Sequence, residues 1–396
     1  MTKGSVKLFS LILGFTLSGH LASAGFTDSD VSVLYPIAQI AFEDYYLGLS
    51  AAKANGELLS QNQYKTINDL VIDNNGSVSG LAGYNRFKVL SIRIDPCSFR
   101  PQAPCEPEIR LVAQTHHMVG FNESALHLVY QLTSNEFDQL TRDYQKLLDL
   151  HPVPTAPELG IQPRFSVDEK NDFQKGFENL ILQSIGQKNI YRVALMSRFA
   201  DEWVFMNLDA DHSSAEPTLT PAPFPHGHGA TMQIFRGSEF TTDPNLNSSV
   251  NFEPNTGFPN IVGDLMRKQR LLTAQELALK DPTTLNANET QYLDRYEKIH
   301  TFARDMMTDT QRFNRFNTDC FSCHAGAQAL KFSQRLFADN FANQSFPFIE
   351  AAWPSVYSTD EKPNSIIAFG YINQEPSVSD RTRQESQEVA DKLNSL

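Results

Sequence analysis

Three familiar catalytic signatures are missing from this 396-residue chain: it has no G-x-S-x-G nucleophile elbow, no H-E-x-x-H helix and no glycine loop suited to cradling a phosphate. Basic charge is scarce as well. Lys and Arg number 33 against 46 Asp and Glu, a formal charge of −13 that grows more negative if Lys3 and Lys7 leave with a leader peptide. That balance argues against nucleic acid or an anionic lipid surface as a partner, and leaves a basic protein partner open. No apolar run after Leu21 is long enough to span a bilayer, so no transmembrane anchor is expected. Cysteine is sparse: four occur, in two local pairs.

What is present begins with an export signal. Lys3 and Lys7 precede a mostly apolar stretch, residues 8–21, and Ala22-Ser23-Ala24 fits a small-residue cleavage site. The apolar stretch is short and broken by Ser10, Gly14, Ser18, Gly19 and His20, which suits a removable signal over residues 1–24 rather than a span. The mature chain is expected to start at Gly25, without a lipid anchor, in the periplasm or outside the cell. In such a compartment Cys97 and Cys105, which flank a proline-containing loop, are expected to form a structural disulfide. Closing so short a loop contributes roughly 2 to 3 kcal/mol on the chain-entropy estimate.

With 41% hydrophobic residues and 28 Phe the chain can bury ordinary cores, and its patterning predicts an α+β fold. Leu90, Ile92 and Ile94 alternate with Ser91, Arg93 and Asp95, and Ile109, Leu111 and Ala113 alternate with Arg110, Val112 and Gln114, which predicts a hairpin. A third strand places Leu126, Leu128 and Tyr130 on one face and His127 and Val129 on the other. Thr133 and Glu136 form a capping box for a helix that ends before Pro152, and Ser166 with Glu169 suggests a second helix ending at Gly186. Strands over 190–199, 203–208 and 231–235 follow, with residues 213–229 as a proline-rich loop containing His226 and His228. Each half thus holds three strands and a helix, a hint of an internal repeat. Residues 25–240 are expected to form an antiparallel strand-rich region with flanking helices, and 241–396 a mainly helical region that includes a helix over 289–307.

The second cysteine pair carries the chemistry. Cys320-Phe321-Ser322-Cys323-His324 is a C-x-x-C-H pentapeptide: two thiols at this spacing can each bond one vinyl group of a haem, and the adjacent histidine then sits beneath the iron. A disulfide or a zinc half-site beside an ordinary histidine is the plainer alternative, although zinc needs two further ligands. On Cys320, Cys323 and His324 the chain resembles the c-type cytochromes, over the haem-binding segment only. The resemblance implies one covalent haem c, His324 as proximal iron ligand, and one-electron exchange with a redox partner protein.

The other side of the iron is where this sequence departs from small cytochromes, because no Met and no His follows His324. A distal ligand must come from upstream. His300 and Met307 share a helical stripe, with Met306 beside it, and His116, His117 and Met118 are read as a loop after a strand. His212, His226 and His228 form a third group, best read as flexible surface. Two strong axial ligands favour an electron carrier. An open sixth position favours a haem enzyme or small-ligand sensor, and a third reading makes the strand-rich region a binding module with an auxiliary haem.

Overall fold

The computed structural model describes residues 25–38, 45–75, 81–97, 106–117, 120–153, 158–199, 202–224, 231–236, 276–277, 280–294, 304–305, 309–310, 313, 318, 320, 324, 368–372 and 375–395. The described elements begin with a short helix α1 (Asp28–Val31), strand β1 (Ser32–Leu34), a small hairpin of β2 (Ala52–Lys53) and β3 (Gly56–Glu57), and helix α2 (Gln61–Asn75). Three long strands follow, β4 (Phe87–Asp95), β5 (Glu108–His117) and β6 (Gly120–Gln131), then helices α3 (Ser134–Leu150) and α4 (Asp172–Ser184). The second set of strands is β7 (Ile190–Phe199), β8 (Glu202–Asp211), β9 (Thr218–Ala222) and β10 (Met232–Arg236). A hairpin of β11 (Phe369–Ile372) and β12 (Glu375–Val378) leads into the last helix, α5 (Asp380–Asn394).

One eight-stranded sheet organises the chain, in the order β1-β4-β5-β6-β7-β8-β10, with β9 also pairing β8. Every pairing in it is antiparallel, as the alternating sequence patterns require. Ile92, Leu111, Leu128, Val193 and Leu208 stand opposite one another across five strands and are almost wholly buried. Removing each such side chain from water stabilises the fold by roughly 1.5 to 3 kcal/mol. Phe137, Leu140 and Tyr144 of α3 and Phe173, Phe177 and Ile181 of α4 join the same core. The chain is therefore α+β, built on a large antiparallel sheet with helices against it.

Several local features match their sequence signals. Thr133 accepts a hydrogen bond from the Glu136 backbone at 3.3 Å while Glu136 accepts from the Thr133 backbone at 2.8 Å, so the capping box starts α3. Gly186 follows the C-cap Ile185, although close approach is what demands glycine there: a Cβ would lie 2.5 Å from the Asn55 carbonyl oxygen. The turn after α4 seats the β2–β3 hairpin, with Gln187 donating to the Glu57 carbonyl at 2.7 Å.

Other expectations are corrected. α4 is capped by Asn171, whose side chain accepts from the Gln174 backbone at 2.9 Å, rather than by Ser166. Ser166 instead accepts from the Asp168 backbone at 3.3 Å in the preceding turn. The proline-rich stretch contains β9, where Pro221 stands opposite Leu208. Proline is tolerated in such a strand because its missing N–H can face away from the ladder. His116 and His117 are the last residues of β5, opposite Phe121 and Gly120, and not a loop.

Residues 287–294 and 304–305 are helical, in keeping with the helix expected over 289–307, while the boundary near residue 240 lies outside the described residues. β11, β12 and α5 return to the sheet. Gln114 of β5 donates to the Tyr371 carbonyl at 3.0 Å and accepts from its backbone N–H at 2.8 Å, and Tyr371 Oη donates to the Tyr35 carbonyl at 2.6 Å. At the other end of α5, Asn394 exchanges two hydrogen bonds with the Phe26 backbone, at 2.7 and 3.0 Å. Among the described residues no helix is long and apolar enough to cross a membrane.

Candidate functional site

The sheet has a second face, and its residues follow from the same alternation that builds the core. Arg93, Arg110, Val129, Arg192 and Asp209 form one row across β4 to β8. Ser91, Val112, His127, Ala194 and Asn207 form the next. These residues other than Asp209 line a cavity of about 230 Å³, closed by Thr318, Cys320 and His324 together with Ala368, Phe369 and residues of α5. The first and last residues of the C-x-x-C-H motif thus open onto one cavity whose floor is the sheet.

Contacts across that cavity are specific. The His324 ring meets the His127 ring edge to face, with centroids 5.7 Å apart and planes at 86°, and also lies 5.8 Å from the Phe205 ring. Cys320 Sγ points to Asn207 Oδ1 at 3.7 Å. Two strands therefore meet the motif: β6 through His127, and β8 through Phe205 and Asn207. Burial, with the His324 ring and the Arg110 guanidinium adding to it, holds the His127 imidazole down to about 3, so it is neutral near pH 7.

The wall is rich in arginine, and each arginine is paired. Arg93 bonds Glu385, the Thr382 carbonyl at 3.0 Å and Ser386 at 2.8 Å, which ties β4 to α5. Arg110 bonds Asp95 at 2.6 Å and also Glu108, while Arg192 grips Asp209 with two hydrogen bonds of 2.6 and 3.1 Å. Arg381 pairs with Glu385 at 2.9 Å and donates to the Phe313 carbonyl, so the segment ahead of the motif is joined to the same helix. Burial alone would raise the Glu385 pKa, but Arg381, Arg93 and Arg110 outweigh it and hold the carboxyl down to about 2. Asp380 shows the opposite balance. Burial lifts it to about 6 against the pull of Arg383, and its Oδ1 has no hydrogen-bond partner among the described residues.

The expected site residues fall into three groups. Cys320 and His324 are half-buried on the cavity wall. Cys323, His300, Met306, Met307, Met118, His226, His228 and Cys105 lie outside the described residues, as do the side chains of His116 and His117. His212 is exposed and bonds the Ile190 carbonyl at 2.8 Å. Cys97 takes the left-handed backbone conformation with φ 65°, and Cys105, its expected partner, lies outside the described residues. His127 is the site residue missed by sequence reasoning. Its placement on the non-core face of a strand was readable, but which segment that face meets was not.

Cys320 and His324, at motif spacing, are of the residue types that hold a c-type haem, whereas every arginine on the wall is already engaged by a carboxylate. The enclosed space is smaller than the roughly 300–1,000 Å³ of clefts for drug-sized ligands, so a whole macrocycle would extend past these walls. Among the described residues no group of three or more His, Cys, Asp and Glu is placed to hold a metal ion. Compared with known proteins, the chain matches no family model, no curated protein and no solved structure.

Proposed function

We propose that this chain is an exported mono-haem c-type cytochrome-like protein whose function is one-electron transfer to a partner protein. The observation that carries the reading is that Cys320 and His324, fixed by the motif, both face a cavity floored by the sheet. In this reading Cys320 and Cys323 anchor one haem covalently and His324 binds its iron. When bound, the haem supplies a reversible one-electron couple. The rest is work for the protein. The sheet floor and Phe369 would shield one side of a bound group from water, and Asn207, which accepts from Cys320, would orient that thiol. Cleavage after Ala24 and a Cys97–Cys105 disulfide belong to the same proposal, as does the division into a strand-rich region over 25–240 and a mainly helical haem region over 241–396.

The test is expression with a leader peptide and a working haem-maturation system, followed by a pyridine haemochrome spectrum of the purified protein. One covalent haem per chain is expected. Its absence, or its persistence after replacing both Cys320 and Cys323 by Ala, overturns the proposal. Spectra with and without carbon monoxide then separate an electron carrier from an open-site enzyme or sensor: ferrous protein that binds carbon monoxide readily favours the latter.

A further inference from the structure

We infer that the cavity on the second face of the sheet binds a small uncharged molecule: a single ring whose short substituent carries a hydrogen-bond acceptor such as a carbonyl oxygen. The inference goes beyond the haem reading and does not rest on it, because it uses the walls of the cavity and not the sulfur chemistry of the motif. Size comes first. An apolar cavity of about 150 Å³ is enough to take up benzene. The space here is about 230 Å³, which leaves room for a ring and a short substituent.

Charge decides the class. Arg93, Arg110, Arg192 and Arg381 line the cavity, and four carboxylates hold them: Glu385 bonds both Arg93 and Arg381, Asp95 and Glu108 bond Arg110, and Asp209 bonds Arg192. His127 is neutral near pH 7. These groups balance, so a guest of either sign would bring a charge out of water with no counter-charge waiting for it.

Hydrogen bonding decides the substituent. Arg110 uses Nε for Glu108 and Nη2 for Asp95, Arg192 uses Nε and Nη2 for Asp209, and no described residue engages Nη1 of either. The two arginines stand on either side of Val129 in one row of the sheet. His127, whose ring makes no hydrogen bond among the described residues, lies two positions before Val129 on the same strand and also lines the cavity. Acceptors on the wall are already taken: both Glu385 oxygens bond arginine, and Asn207 accepts from Cys320. A guanidinium nitrogen can only donate, so the group that completes this wall is an acceptor on the guest, placed over Val129 between Arg110 and Arg192. The apolar body of the guest would lie against Val112, Ala194 and Phe369, out of water.

The experiment titrates the full purified chain, its haem content determined separately by pyridine haemochrome, with acetophenone and three molecules of similar size. Ethylbenzene lacks the acceptor, benzoate is an anion and benzylamine a cation, and ligand-observed NMR gives each dissociation constant. Acetophenone is expected to bind about tenfold more tightly than ethylbenzene, and more tightly than either ion by at least as much. Arg192→Lys keeps a cation beside Asp209 but removes the Nη1 donor, and should weaken acetophenone about tenfold while leaving ethylbenzene unchanged. Ala194→Trp should abolish binding of both. No acetophenone binding up to its solubility limit overturns the proposal, and so does benzoate or benzylamine binding equally well; neither result needs a variant to fold. Acetophenone binding untouched by Ala194→Trp, or an unchanged preference over ethylbenzene in Arg192→Lys, overturns it as well. Acetophenone bound by protein without covalent haem removes only the haem reading, whereas haem-loaded protein that ignores acetophenone removes only this one.

Discussion

Arg93 on β4 and Glu385 on α5 form an ion pair that joins the fourth strand of the chain to its last helix, at the edge of the cavity. Arg93 also donates to Ser32 at 3.0 Å, so β1, β4 and α5 converge on a single guanidinium. Removing a partner from such a pair leaves a buried charge uncompensated, which is far more costly than the pair itself is stabilising.

Glu385→Gln is expected to lower unfolding free energy by about 3 kcal/mol at pH 7, measured by urea denaturation. The acid limb carries a second signature. Because the folded carboxyl is held down to about 2 against an ordinary 4.5, its stabilisation is complete above pH 4.5 and drains away as pH falls toward 2. The Gln variant should lack that part of the slope, and a slope equal to wild type would refute the coupling.

Asp380 predicts the reverse. Its folded pKa is raised from 3.8 to about 6, so the folded chain holds the proton more tightly and stability falls as pH rises from about 4 to 6. Asp380→Asn should raise the melting temperature above pH 6, by an amount corresponding to roughly 1 to 3 kcal/mol, and have little effect below pH 4. A variant less stable than wild type at pH 7 would show that the carboxylate's place at the start of α5 outweighs its burial.

Filling the cavity separates its chemistry from the fold. Ala194 lies beside His127 on the wall and outside the core row. On the haem reading proposed above, Ala194→Trp should leave the circular dichroism spectrum intact and stability within about 1 kcal/mol of wild type, yet yield protein with little covalent haem. Normal haem content would place the haem elsewhere.

In the turn after α4, Gly186→Ala must push a methyl group into the Asn55 carbonyl. A backbone atom cannot step aside as a flexible side chain can, so a loss of about 2 kcal/mol in urea denaturation is expected. An unchanged midpoint would mean that the β2–β3 hairpin is free to shift.

Alternation makes much of the sheet legible in the sequence. Leu90, Ile92 and Ile94 lie inside, with Ser91 and Arg93 on the cavity side, because one buried face dictates the register of a strand. β9 was hidden because prolines mark loops in local patterns, and only its lateral pairing with β8 shows that Pro217 and Pro221 border or occupy a strand. α4 was given the wrong cap because Ser166 and Glu169 imitate a capping box, while the choice of Asn171 depends on how residues 164–171 fold back, with Asn171 donating to the Arg164 carbonyl at 2.6 Å. His127 was visible as a non-core strand residue and invisible as a neighbour of His324. That meeting depends on how the chain returns to the sheet, and no local spacing encodes it.

The walls of the cavity are gathered from widely separated parts of the chain, from Ser91 to Glu385. A polypeptide is made from its N-terminus, so the floor exists first, the motif arrives later, and Ala368, Phe369 and α5 come last of all. The cavity therefore gains its complete wall only when the last hairpin and helix have docked on a sheet whose strands precede them by more than a hundred residues.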